Sequence, residues 1–150
     1  MIAHLDVVGV PVPQGSTRAF AGKGKAAGKV FTTNDASGTL AKWRGDIRTV
    51  ALANFSQPTD KPVEIEAIFV FERPKSHLTS KGALRAGAPE VPGPDIDKLA
   101  RGLLDALTGI AYRDDKQVRL LVAAKRYSKP GATLRSGVQI MVDDEKEEIE

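Results

Sequence analysis

The chain has 150 residues, 41% hydrophobic and 27% charged, with 22 basic and 19 acidic side chains and no cysteine. That size suits one domain with its own core. It excludes disulfides, thiolate zinc sites and cysteine nucleophiles, and no apolar run approaches the length of a membrane span.

Residues 1–20 lack a signal-peptide apolar region, so a cytoplasmic location is expected. The net charge of +3 conceals an asymmetry. The stretch 143–150 holds six acids and one base, which leaves 21 bases and 13 acids, or +8, on residues 1–142. A body that basic favours a polyanionic partner, and a plain basic domain is the alternative. Residues 143–150 are expected to be a solvated, disordered acidic tail beyond a single domain at 1–142.

In chain order, Leu5 to Val10 reads as a strand, ended by Pro11-Val12-Pro13-Gln14-Gly15. Ser16–Phe20 and Lys29–Thr33 read as two arms of a hairpin around a Gly- and Lys-rich loop. That loop lacks the spacing of a phosphate-binding P-loop or a dinucleotide fingerprint. Asn34 or Asp35 can cap a helix running to about Asn54, with Leu40, Trp43, Ile47, Val50 and Ala51 as its buried stripe. Val63, Ile65, Ala67, Phe69 and Phe71 alternate with Glu64, Glu66 and Glu72, which is strand periodicity.

Pro74 to Pro92 is long, irregular and basic, and its His77 reads as a solvent-exposed loop residue. The next helix starts near Asp95–Asp97 and stops at Gly109. Ile96, Leu99, Ala100, Leu103, Leu104 and Leu107 form its apolar face, opposite Lys98, Arg101 and Asp105. Lys116–Tyr127 and Ser136–Val142 are the last two strands, separated by the turn at Lys129-Pro130-Gly131.

Two pairs of acids bracket the second helix: Asp95 with Asp97, and Asp114 with Asp115. Each pair alone has a structural reading, as a helix cap or as a turn. Together, on a basic scaffold, they suggest oxygen ligands for a divalent cation held against a phosphate-rich polymer.

The segment Pro94-Asp95-Ile96-Asp97-x-Leu99-x-Arg101, followed by Leu104-Asp105-Ala106-Leu107-Thr108-Gly109 and Tyr112-x-Asp114-Asp115-x-Gln117-Val118, resembles the RusA-type Holliday junction resolvases of bacteria and phages. Gly9-Val10-Pro11-Val12-Pro13-Gln14-Gly15-Ser16-x-Arg18 is more loosely similar to their N-terminal segment. The resemblance implies that Asp95, Asp97 and Asp115 are catalytic metal ligands, with Asp114 in support. The family usually carries Asn and Lys where this chain has Lys98 and Arg101. Arginine stays charged at neutral pH, so residue 101 suits charge stabilisation rather than proton transfer, and Lys98 is the candidate for the displaced ammonium.

Carboxylates about 4 Å apart repel by roughly 4 kcal/mol at an effective dielectric near 20, so gathered acids call for a cation. Mg²⁺, with Mn²⁺ as the alternative, suits an all-oxygen set. A helix of about 13 positions spans roughly 20 Å, too far for Asp97 and Asp115 of one chain to share a metal. The expected solution is a homodimer, with the two helices antiparallel about a two-fold axis and each site completed by the partner.

The expected fold is therefore α+β, a small mixed or antiparallel sheet with two main helices. The expected activity is Mg²⁺-dependent cleavage of four-way junction DNA by paired symmetric nicks, in recombination and repair. A broader flap or fork nuclease and a non-catalytic DNA-binding protein are the alternatives. The expected phosphate contacts are Arg18, Lys23, Lys25 and Lys29 near the hairpin, Arg73, Lys75, Lys81 and Arg85 in the long loop, and Arg119 and Lys125 on the next strand. Neither a membrane nor a small-molecule substrate is expected as a partner.

Overall fold

The computed structural model describes residues 1–15, 18–21, 30–33 and 37–145. Four strands form one sheet in the order β1 (Ile2–Val8), β6 (Gly137–Asp143), β4 (Val63–Phe71), β5 (Val118–Tyr127). β4 and β5 run parallel, and the other pairs are antiparallel. A parallel pair needs a crossover, and the long loop followed by helix α2 (Ile96–Leu107) supplies it. Helix α1 (Ser37–Asn54) lies beside α2. A separate hairpin joins β2 (Arg18–Ala21) to β3 (Val30–Thr33). This is the expected α+β architecture with two main helices and a mixed sheet. Among the described residues no helix is long and apolar enough to cross a membrane.

Alternation along the strands decides which face is covered. Leu5 and Val7, Val138, Ile140 and Val142, and Val63, Ile65, Ala67 and Phe69 all point into one buried cluster. Trp43, Ile47 and Ala51 of α1 and Leu99, Leu103 and Leu107 of α2 close it from the helical side. Each buried Val, Leu, Ile or Phe side chain among them contributes about 1.5–3 kcal/mol. The helical stripes match the sequence reading except at Ile96, which is 37% exposed where α2 begins. The Arg48 guanidinium donates to the Ala106 carbonyl at 3.0 Å, joining α1 to the last turn of α2.

Several strand boundaries differ from expectation, and those of β1, β5 and β6 have clear causes. β1 begins at Ile2 and ends at Val8, because its register with β6 runs from Ile2–Asp143 to Val8–Gly137. β5 begins at Val118, because residues 115–117 close a short 3₁₀ turn first. β6 continues to Asp143, which is buried on the sheet, one residue into the segment expected to be tail. Asp144 follows with an ion pair to the N-terminal ammonium of Met1. The rest of the tail expectation, at 146–150, lies outside the described residues, as do the helix cap at Asn34 or Asp35 and the loop at 22–29.

Gly137 sits where β6 meets both β1 and β4, at φ +145°. A Cβ there would lie 1.9 Å from the Val7 carbonyl oxygen, so the site admits only glycine.

Candidate active site

Asp95 and Asp97 stand at the N-terminus of α2. Asp95 is the N-cap residue by backbone conformation (φ −66°, ψ 131°), yet its side chain makes no capping hydrogen bond. Its carboxylate faces Lys98, one turn on, at 3.4 Å. Asp97 is exposed in the first helical turn. The capping role that would explain an aspartate here is thus not performed, and both carboxylates stay open to solvent at the positive end of the helix dipole.

The approach to Asp95 is held from the sheet. The Lys125 ammonium, near the end of β5, donates to the carbonyls of Pro92 and Pro94, each at 2.7 Å. Lys125 therefore positions the residue before Asp95, a task different from the exposed phosphate contact expected of it.

The other acidic pair lies beyond the far end of α2. Thr108 caps the helix, Gly109 turns the chain at φ +85°, and the buried Tyr112 hydroxyl donates to the Leu104 carbonyl at 2.7 Å. Burial pushes the Tyr112 phenol well above its ordinary value, so it remains a donor. Asp114 then makes a capping box with Gln117: its carboxylate accepts from Lys116 N at 2.9 Å, and the Gln117 amide oxygen accepts from Asp114 N at 2.9 Å. The backbone N–H of Lys116 is the main reason the Asp114 carboxyl is held below its ordinary value. Gln117 also donates to the Thr59 and Lys61 carbonyls, both at 2.9 Å, locking the turn to the edge of the domain. Asp114 is thus occupied by structure, while Asp115 is exposed beside it.

The two pairs sit at opposite ends of a 12-residue helix, about 18 Å long by helical rise. β5 runs antiparallel to α2, with its start beside Asp115 and its end beside Pro94. Among the described residues, no group of three or more His, Asp or Glu side chains is placed to hold a metal ion. One chain therefore offers two separated pairs of oxygen donors, at opposite ends of α2.

The basic residues divide into several kinds. Arg101 is exposed on α2 and forms no ion pair with Asp97 among the described residues; Asp105 is instead bound by the Gln14 side-chain amide. Gln14 N also donates to the Lys98 carbonyl at 3.0 Å, so the N-terminal segment is laid along α2. Arg119 is engaged with Glu64 at 3.2 Å, with side-chain exposures of 19% and 6%, and serves the sheet. Arg73 stacks on the Tyr127 ring at 4.1 Å and donates to the Pro89 carbonyl. His77, expected to be solvated, meets the same ring edge-on. Lys75, Lys81 and Arg85 are exposed in the long loop. Of Arg18 only the strand backbone is described, and Lys23, Lys25 and Lys29 lie outside the described residues.

Gln14, Lys125 and Gln117 are positioning residues that the sequence reading assigns no such role. Only Gln117 carries a usable local signal, since Asp114 and Gln117 have capping-box spacing.

An α+β domain with exposed acids at a helix terminus and basic loops beside them has the makings of a hydrolase acting on a polyanion. Residues 9–140 match the family model described as Endodeoxyribonuclease RusA. The match covers most of the chain, which belongs to the RusA family and is an endodeoxyribonuclease, a hydrolase acting on DNA. Nucleases of this family resolve Holliday junctions and generally use divalent metal ions. A comparison with curated proteins gives no match.

Proposed function

We propose that this chain is a Mg²⁺-dependent, homodimeric Holliday junction resolvase that makes paired symmetric nicks in four-way junction DNA during recombination and repair in a bacterial cytoplasm. The observation that carries this reading is the state of Asp95: it holds the N-cap position, leaves the cap unmade and keeps its carboxylate in solvent beside Asp97.

The split between the acidic pairs supports the dimer. β5 is an edge strand of ten residues, with Leu120, Leu121 and Val122 exposed by 37%, 37% and 47%. A long edge strand with exposed apolar side chains invites a further strand. A second copy pairing its β5 antiparallel about a two-fold axis would set the Tyr127 end of one strand beside the Val118 end of the other. Asp95 and Asp97 of one chain would then approach Asp115 of its partner, and the two α2 helices would lie antiparallel.

In this arrangement Asp95, Asp97 and Asp115 supply carboxylate oxygens, and Asp114 fixes the turn that presents Asp115. When bound, Mg²⁺ would polarise the phosphodiester, acidify the attacking water and offset charge on the leaving oxygen. Lys98 already faces Asp95 and supplies a cation at the acidic pair, and Arg101 offers a permanent charge to the phosphate. Two sites about one axis match two cuts across a two-fold substrate. The exposed cations at Lys75, Lys81 and Arg85 grip phosphates without reading bases.

The test places the purified chain with a labelled four-way junction and a matched linear duplex, in Mg²⁺ or EDTA, beside Asp97→Asn. Paired nicks confined to the junction, to Mg²⁺ and to intact Asp97 are expected. Equal cutting of flaps and forks would favour a broader branched-DNA nuclease, and binding without cutting in every condition would leave a DNA-binding protein.

A further inference from the structure

The long loop and the β5–β6 turn enclose a cleft of about 560 Å³ at the end of the sheet nearest Asp95. That volume falls within the roughly 300–1,000 Å³ span of small-ligand sites. One wall is the segment 72–90, which is built rather than loose. Leu78 bridges Leu84, Gly82 N donates to the Thr79 carbonyl, and Arg85 Nε donates to the Leu78 carbonyl at 2.8 Å. The other wall is the turn from Arg126 to Arg135.

The chemistry of the cleft is two-sided. Leu78, Leu84 and Tyr127 give it apolar surface, and Leu84 remains 53% exposed. Arg126, Lys129 and Arg135 line it too, and among the described residues none of these three side chains makes a hydrogen bond or ion pair. Arg73, by contrast, is spent on Tyr127 and Pro89. Glu72 and Glu90 also line the cleft, so its four cations exceed its acids by two. Duplex phosphates need only surface cations and would leave the leucines wet. A ligand matching both halves is anionic on one side and apolar on the other, as the phosphate and base of a nucleotide are.

We propose that this cleft receives one unstacked nucleotide of the strand being cut, with its base against Leu84 and Leu78 and its phosphate at Arg135 and Lys129. The chain from the loop wall leads through Pro92 and Pro94, held by Lys125, directly into Asp95. A nucleotide seated here is therefore tied to the strand whose phosphodiester meets the acids. The cleft would decide where along a junction arm the cut falls, because unstacking is easiest at the branch. This rests on the endonuclease reading for the identity of the strand, but the nucleotide-binding property is separable from it.

The experiment follows leucine methyl resonances of the full-length Asp97→Asn protein in EDTA. It titrates in a four-way junction in one arm and a single-stranded deoxyhexanucleotide in the other, with gel-shift binding measured in parallel. Shifts of the Leu78 and Leu84 methyls in both arms are expected, with the hexanucleotide Kd raised at least tenfold by Leu84→Glu and by Arg135→Ala. Both positions are exposed, so neither variant threatens the core. Silent methyls while the junction binds would overturn the cleft proposal and leave the nuclease reading intact. Methyl shifts with the hexanucleotide but no junction binding would keep the cleft and remove the resolvase reading. No response to either DNA would overturn both.

Discussion

The Lys125 ammonium donates to the Pro94 carbonyl at 2.7 Å, so the edge strand of the sheet holds the residue immediately before Asp95. A second bond to the Pro92 carbonyl fixes the same ammonium from another side. Lys125 thereby connects the β5 edge to the start of α2.

Lys125→Met removes both bonds while keeping the apolar stem. We expect a folded protein whose junction cleavage drops by about 10–100-fold, the size of effect seen when a supporting bond behind a metal site is lost, if Asp95 is a metal ligand as proposed. The Mg²⁺ concentration for half-maximal rate should rise as well. Single-turnover rates across a Mg²⁺ titration check this; an unchanged metal dependence would assign Lys125 to DNA contact alone.

The Glu64–Arg119 pair is largely out of solvent, so removing Arg119 takes a poorly hydrated cationic partner from Glu64. Arg119→Ala should cost about 3–5 kcal/mol, read from urea denaturation. The double change Glu64→Leu with Arg119→Met should recover most of that loss, since a well-packed apolar pair often replaces a buried ion pair at little cost. A double variant as unstable as the single one would show that the pair's other contacts matter more.

Two local periodicities make much of the fold legible in the residues. The 3.6-residue stripe of α2 and the two-residue alternation of β4 depend only on which side chains avoid water. What stays hidden is nonlocal. The placement of β5 at an edge follows from pairing with β4 across a crossover, and no pattern within 118–127 announces it. For the same reason Arg119 and Lys125 read as surface cations, although their partners are Glu64 and the Pro92 and Pro94 carbonyls. The division of labour between Asp114 and Asp115 rests on the Gln117 amide, whose other bonds reach Thr59 and Lys61.

Gly137→Ala should be among the most damaging single changes. The methyl meets the Val7 carbonyl, and the backbone conformation disfavours any Cβ. Strain of about 1–3 kcal/mol and overpacking of about 1–3 kcal/mol together predict a loss of roughly 2–6 kcal/mol. Thermal unfolding checks this, and a Tm within a degree of wild type would mean that β6 can shift without cost.

Acid should weaken the Asp114 turn in a defined direction. The Asp114 carboxyl is held below its ordinary value of 3.8 in the folded chain, chiefly by the Lys116 N–H. The unfolded chain therefore takes up the proton first as pH falls. The stabilisation is complete above about pH 5 and is lost as pH drops through the folded value. Asp114→Asn should narrow its Tm gap to wild type as pH falls below 3.8. A gap that is constant from pH 6 to pH 2.5 would show that the charge contributes nothing.

The most direct measurement mixes two inactive variants, Asp97→Asn and Asp115→Asn, after co-refolding, and assays junction cleavage in Mg²⁺. If each site takes Asp95 and Asp97 from one chain and Asp115 from the other, a mixed dimer holds one intact and one doubly altered site. Nicking should then return in the mixture, largely as single cuts, while each variant alone stays silent. Silence in the mixture, with mixed dimers shown to be present, would contradict a site shared between two chains.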